Sequence, residues 1–142
     1  MEINFEELYN VFKAKSAWDS NYKKEYTLFN GIKKLIDVEA IKAIYPKNLF
    51  VEEENLKVII LTDTSICLFE LLDSNKLNGF CTSRGSIGSL NIDMDCEYRG
   101  NNQLEIKFYD KESIILNGEK DTNEYYRDKM NEKIREIFKE LS

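Results

Sequence analysis

The hydrophobic pattern of the chain changes period once, near Pro46, and that change restricts the fold more than any other feature. Ahead of the proline, apolar residues recur at helical spacing. Asn4 with Glu7 three places on reads as a capping box, and Phe5, Leu8, Tyr9 and Phe12 form one stripe behind it. Ser20 or Asn21 offers a second cap, followed by Tyr22, Tyr26, Phe29, Ile32, Leu35 and Ile36 on one side of a helix. Asn30-Gly31 is the weak point of that stripe, where the helix is expected to kink or split. Asp37 caps a last turn or two, with Val38, Ile41 and Ile44 inward. Tyr45-Pro46 closes the region, because the residue before a proline avoids the helical conformation.

Beyond Pro46 the pattern becomes that of strands. Leu49 to Glu53 reads as short and extended, and Val58–Leu61 and Ile66–Leu71 are apolar runs joined by Thr62-Asp63-Thr64-Ser65. Asn78-Gly79 is a turn dipeptide ahead of Phe80-Cys81-Thr82, and Ile87, Leu90, Ile92 and Met94 carry a further strand. Leu104, Ile106 and Phe108 alternate with Glu105 and Lys107, the period of a strand with one wet face. Ile114–Leu116 follows and Asn117-Gly118 ends it. Asp121 with Glu124 reads as the capping box of a last helix, with Tyr126, Met130, Ile134, Ile137, Phe138 and Leu141 on its apolar face. The expected fold is α+β: two or three helices, about seven antiparallel strands, and one amphipathic helix.

Composition narrows the functions. The chain of 142 residues suffices for one domain and contains no histidine, so histidine-based triads, the usual catalytic zinc sites and imidazole switches are excluded. The formal net charge of −6 has the wrong sign for a nucleic-acid binder. Cys67, Cys81 and Cys96 include no CxxC pair, and three reduced thiols are expected. The first residues resemble no signal peptide, and no apolar stretch approaches bilayer length. A cytoplasmic protein without integral membrane association is the expectation.

Residues 58–71, Val-Ile-Ile-Leu-Thr-Asp-Thr-Ser-Ile-Cys-Leu-Phe-Glu-Leu, resemble the hairpin of bacterial pleckstrin-homology-like and GRAM-type domains. Ile87-Gly88-Ser89-Leu90-Asn91-Ile92 is similar to their next strand, and Leu104–Asp110 to the hairpin before their helix. The resemblance spans residues 48–142 and implies a seven-stranded antiparallel barrel or sandwich closed by the C-terminal helix. Residues 1–47 lie outside it as an added helical module packed on the barrel. The whole is similar to a Firmicute-type family built this way. Such a fold implies a binding scaffold more often than an enzyme. Lipid-binding members carry basic residues between the first two strands, where this chain has Val51-Glu52-Glu53-Glu54-Asn55, which weighs against phosphoinositide binding. Residues 51–142 carry 12 basic and 19 acidic groups, so this part repels anionic surfaces.

The leading expectation is a non-enzymatic module that binds a protein or peptide, with no catalytic, cofactor or metal residues assigned. Ser86 to Met94 has no proline and no basic residue to blunt an exposed edge, so Ile87, Asp93 and Asp95 are expected to border a partner site for a basic peptide. Seven of the seventeen aromatics crowd the first helices, and Trp18 and Tyr22 are the candidates there for contact area beyond the core. One alternative is an acidic immunity-type inhibitor that caps a basic partner. A second is a carboxylate-based, metal-dependent hydrolase in which Asp63, Asp93 and Asp95 converge. Arg84 beside Gly85-Ser86-Ile87-Gly88 offers a weak phosphate cradle, and Lys23, Lys24, Lys33 and Lys34 a weak polyanion contact.

Overall fold

The computed structural model describes all 142 residues, Met1–Ser142. The architecture is α+β. Helices α1 (Phe5–Trp18) and α2 (Lys23–Leu35) precede two antiparallel meanders. The first runs β1 (Ala43–Lys47), β2 (Lys57–Leu61), β3 (Ser65–Leu71) and β4 (Leu77–Ser83), in that spatial order. The second runs β5 (Ile87–Met94), β6 (Asn102–Phe108) and β7 (Ile114–Asn117), and α3 (Arg127–Leu141) ends the chain. β4 does not pair with β5, nor β1 with β7, so the strands form two sheets and not a closed barrel.

Hydrophobic burial unites these parts. A single cluster of 28 buried residues takes Leu8, Phe12, Phe29 and Ile32 from the first helices, Val58–Leu61 from β2, Leu104 and Ile106 from β6, and Ile134 and Ile137 from α3. β2 is buried at four consecutive positions, which requires cover on both faces. β4 and β5 hold no fully buried residue, as suits strands at sheet edges. Helix α1 starts where its capping residues place it: the Asn4 side chain accepts from the Glu7 N–H at 2.9 Å. Phe138 was expected inside with Ile134 and Ile137, but it is only half-buried.

Local signals fail where packing overrides them. α2 runs unbroken through Gly31, because a side chain there would sit 2.6 Å from Cδ1 of Leu77; the glycine lets β4 approach. Asn78-Gly79 lies inside β4 and not in a turn, since a Cβ at Gly79 would be 2.5 Å from the Phe69 ring and would collide with the Leu68 carbonyl. The turn itself falls at Leu72–Lys76, closed by a 2.8 Å bond from the Leu72 N–H to the Lys76 carbonyl. Pro46 is not the end of the helical region but the fourth residue of β1, an edge strand that tolerates a missing N–H. Leu49 to Glu53 is a loop, with Asn48, Phe50 and Glu53 at φ of 71°, 58° and 66°. Asp121 caps no helix; α3 begins six residues later, and the Asp121 carboxylate is buried instead. The cysteines also depart from expectation. Cys67 and Cys81 face each other across β3 and β4 with Cα atoms 4.0 Å apart and are joined as a disulfide, leaving exposed Cys96 free.

Candidate functional site

The residues expected to meet a partner fall into two separate regions. Trp18 and Tyr22 lie at the end of α1 and just before α2; Ile87 and Asp93 lie on β5 and Asp95 just beyond its end.

The first region is a cleft of about 710 Å³ between the N-terminal helices and the β1–β2 loop. The loop is anchored at fully buried Leu49. Its N–H donates to the Asp121 carbonyl at 2.9 Å, and its carbonyl accepts the Thr122 hydroxyl at 3.0 Å. Asn48 adds a 3.0 Å bond from its amide to the Asn55 carbonyl, closing the loop on itself. So held, Phe50 adopts the left-handed backbone that a bulky residue avoids, and its ring projects into the aromatic wall. Ring centroids lie 6.0 Å from Phe12, 6.3 Å from Tyr22 and 5.4 Å from Tyr126. The Lys15 ammonium stands 5.2 Å from the Tyr22 ring centre and 5.6 Å from that of Phe50.

Carboxylates line the same cleft: Asp19, Glu25, Glu52, Glu53 and Glu54, against the single ammonium of Lys15. Glu52–Glu54 are exposed and form no ion pair. Glu25 is different. One of its carboxylate oxygens is buried without a hydrogen-bond partner, and burial pushes its carboxyl above the ordinary range. The neighbouring Lys24 does not satisfy that oxygen, since its ammonium binds the Asn55 side chain at 2.6 Å and Asp73 at 3.5 Å. Trp18 stands outside the aromatic wall, 92% exposed at the cleft's margin. Phe50 and Glu25 are not singled out from the sequence, and Tyr126 reads only as part of the apolar face of the last helix. The one available signal is an aromatic two residues ahead of the acidic run at 52–54.

The second region is the outer edge of β5. This strand pairs only with β6, through a bulge between Ile87 and Ser89. Ile87 is half-buried against the core, while Asp93 and Asp95 are exposed beside a shallow depression shared with Asn101, Gln103 and Asn117.

Other candidates have structural occupations. The Arg84 guanidinium donates to the Thr62 carbonyl and pairs with Glu140 at 3.0 Å, tying the β4–β5 connection to α3 and leaving no cradle for phosphate. Asp63 pairs with Lys42 at 3.5 Å in the β2–β3 turn and does not join Asp93 and Asp95; no three carboxylates or thiols are grouped closely enough to hold a metal ion. No helix is long and apolar enough to cross a membrane.

Two meandering sheets with a terminal helix and a carboxylate-lined aromatic cleft define the class of architecture. A family described as a protein of unknown function (DUF3908) matches residues 4–132, and the chain belongs to it. No curated protein and no solved structure matches the chain.

Proposed function

We propose that the chain is a non-enzymatic binding module of pleckstrin-homology-like layout, whose partner is an extended, basic segment of a protein added to the edge of β5. The layout is supported by four strands followed by three, each sheet in sequence order, with a helix after the last strand. The observation that carries the site is the unpaired outer edge of β5. Its backbone groups offer main-chain pairing to an added strand, and Asp93 and Asp95 supply charge complementary to lysine and arginine. No basic residue from Ser86 to Asp95 repels such a strand.

The test is affinity capture of the partner from the native cell, followed by hydrogen exchange of the complex. Protection of amides 87–94, and loss of binding in Asp93→Lys/Asp95→Lys, support the reading. Unchanged exchange at β5 in a saturated complex refutes it. The Ile87 N–H donates to the Arg84 carbonyl in the turn ahead of β5, so a proline at this position does not probe the edge. A second reading, an acidic inhibitor that covers a basic partner, draws on the exposed, unpaired Glu52–Glu54 run. It is distinguished by protection at residues 48–56 and by steep loss of the complex as salt rises.

A further inference from the structure

We infer that the cleft between α1, α2 and the β1–β2 loop is a second recognition site, which takes a lysine side chain from a basic protein segment onto the rings of Tyr22 and Phe50. The fold already shows an ammonium held there. Lys15 stands over both rings, 5.2 and 5.6 Å from their centres, and its charge has no carboxylate within ion-pairing distance and no hydrogen-bond acceptor. The negative face of an aromatic ring attracts a cation and keeps it mobile enough to exchange. Lys15 therefore marks the position that a ligand ammonium takes, and competes with it.

Charge complementarity selects the occupant. Five carboxylates around one ammonium leave a surplus of four negative charges in a concave, partly desolvated space. Anions are repelled there, and an apolar ligand gains nothing from the Glu25 oxygen that lacks a partner. The space of about 710 Å³ is far larger than one lysine side chain, so flanking residues of a peptide fit alongside Glu52, Glu53 and Glu54. The anchored loop keeps Phe50 in place before a ligand arrives, which reduces the entropy lost on binding.

The experiment titrates a short peptide of alternating lysine and serine into the whole chain at low salt, following the aromatic side-chain signals by NMR. A glutamate–serine peptide and spermidine serve as controls. The expected result is saturable shifts of Tyr22, Phe50 and Tyr126 with the lysine peptide and none with the glutamate peptide. Lys15→Met removes the competing charge at similar length and tightens binding by about 2- to 10-fold. Glu52→Gln/Glu53→Gln/Glu54→Gln alters only exposed side chains, weakens binding about tenfold and flattens its salt dependence. Asp93→Lys/Asp95→Lys leaves these shifts intact, which separates the cleft from the edge of β5. Absence of saturation, equal affinity in the triple-glutamine variant, or weaker binding in Lys15→Met overturns the inference. Spermidine binding as tightly as the peptide overturns the choice of a protein segment and assigns a free polyamine.

Discussion

The Tyr45 hydroxyl donates a 2.7 Å hydrogen bond to the Asp121 carboxylate, joining residues 76 positions apart. The same carboxylate accepts the Asn117 N–H at 2.8 Å and pairs with the Lys47 ammonium at 2.7 Å. Tyr45 is fully buried and Asp121 is 2% exposed, so these bonds form away from water and lock β1 to the segment between β7 and α3. Leu49, Phe50 and the cleft wall hang from that junction.

Tyr45→Phe removes one bond to a buried charge and is expected to cost about 1.5–3 kcal/mol in urea denaturation. Asp121→Ala is expected to cost more, about 3–5 kcal/mol, because it strands both the Tyr45 hydroxyl and the mostly buried Lys47. Equal, sub-kilocalorie losses in both variants refute the role of this junction. Burial, and then the charge of Asp121, push the Tyr45 phenol far above its ordinary value of 10.0. A folded value raised above the unfolded one stabilises below the unfolded value and loses that contribution as pH climbs past it. Wild-type stability should therefore fall above pH 10.0 more steeply than that of Tyr45→Phe, and a spectrophotometric titration should show Tyr45 ionising only on unfolding.

Glu25 carries a similar sign in the acid range. Burial raises its carboxyl above the ordinary 4.5, with a local backbone hydrogen bond and the charge of Lys24 opposing. Its stabilising contribution is complete below pH 4.5 and lost as pH rises through the folded value. Glu25→Gln should lack this decline and be the more stable protein at neutral pH. The difference between the two urea midpoints, followed from acid to neutral pH, is the measurement; a constant difference refutes it. Glu2, held below the ordinary range by its hydrogen bond to Lys129, shifts both proteins alike and cancels in the comparison.

The Cys67–Cys81 link closes a loop of 14 residues' separation, for which chain entropy gives about 3 kcal/mol. Reductant should lower the melting temperature of the wild type and leave Cys67→Ala/Cys81→Ala unmoved. Thiol counting on the unreduced protein should find only Cys96 reactive. Three reactive thiols in protein taken from its own cell would mean that the pair stays reduced there.

In α3, Ile134 and Ile137 have no exposed surface, whereas Phe138 is half-buried. Truncating either isoleucine to alanine should cost about 2–5 kcal/mol, and Phe138→Ala should cost less than Phe→Ala changes in full cores, about 3–5 kcal/mol. A larger loss at Phe138 than at Ile134 would place the helix in a different rotation against β1 and β6.

Much of this fold is legible in the chain, because hydrophobic period is a local property. The stripe from Phe5 to Phe12, the alternation from Leu104 to Phe108 and the apolar face of α3 each specify their element without reference to the rest. The Asn4 cap is local as well. Glycine and proline misled where their reason lay elsewhere: Gly31 answers to Leu77, Gly79 to Phe69, and Pro46 to its place on a sheet edge. Asp121 and Glu124 have the spacing of a helix cap, yet the aspartate is claimed by Tyr45 and Lys47 from the other end of the domain.

The cleft shows the division most plainly. Sequence alone placed aromatics in the first helices and three consecutive glutamates after Phe50, and thereby set the materials and the sign of the charge. Tertiary structure decided that they meet. Phe50 reaches Phe12, Tyr22 and Tyr126 only because Leu49 is pinned to Asp121 and Thr122, contacts more than 70 residues away along the chain. Local pattern encodes which face of an element is apolar, but which distant element covers that face is set by the packing of the whole core, and no window of the sequence contains it.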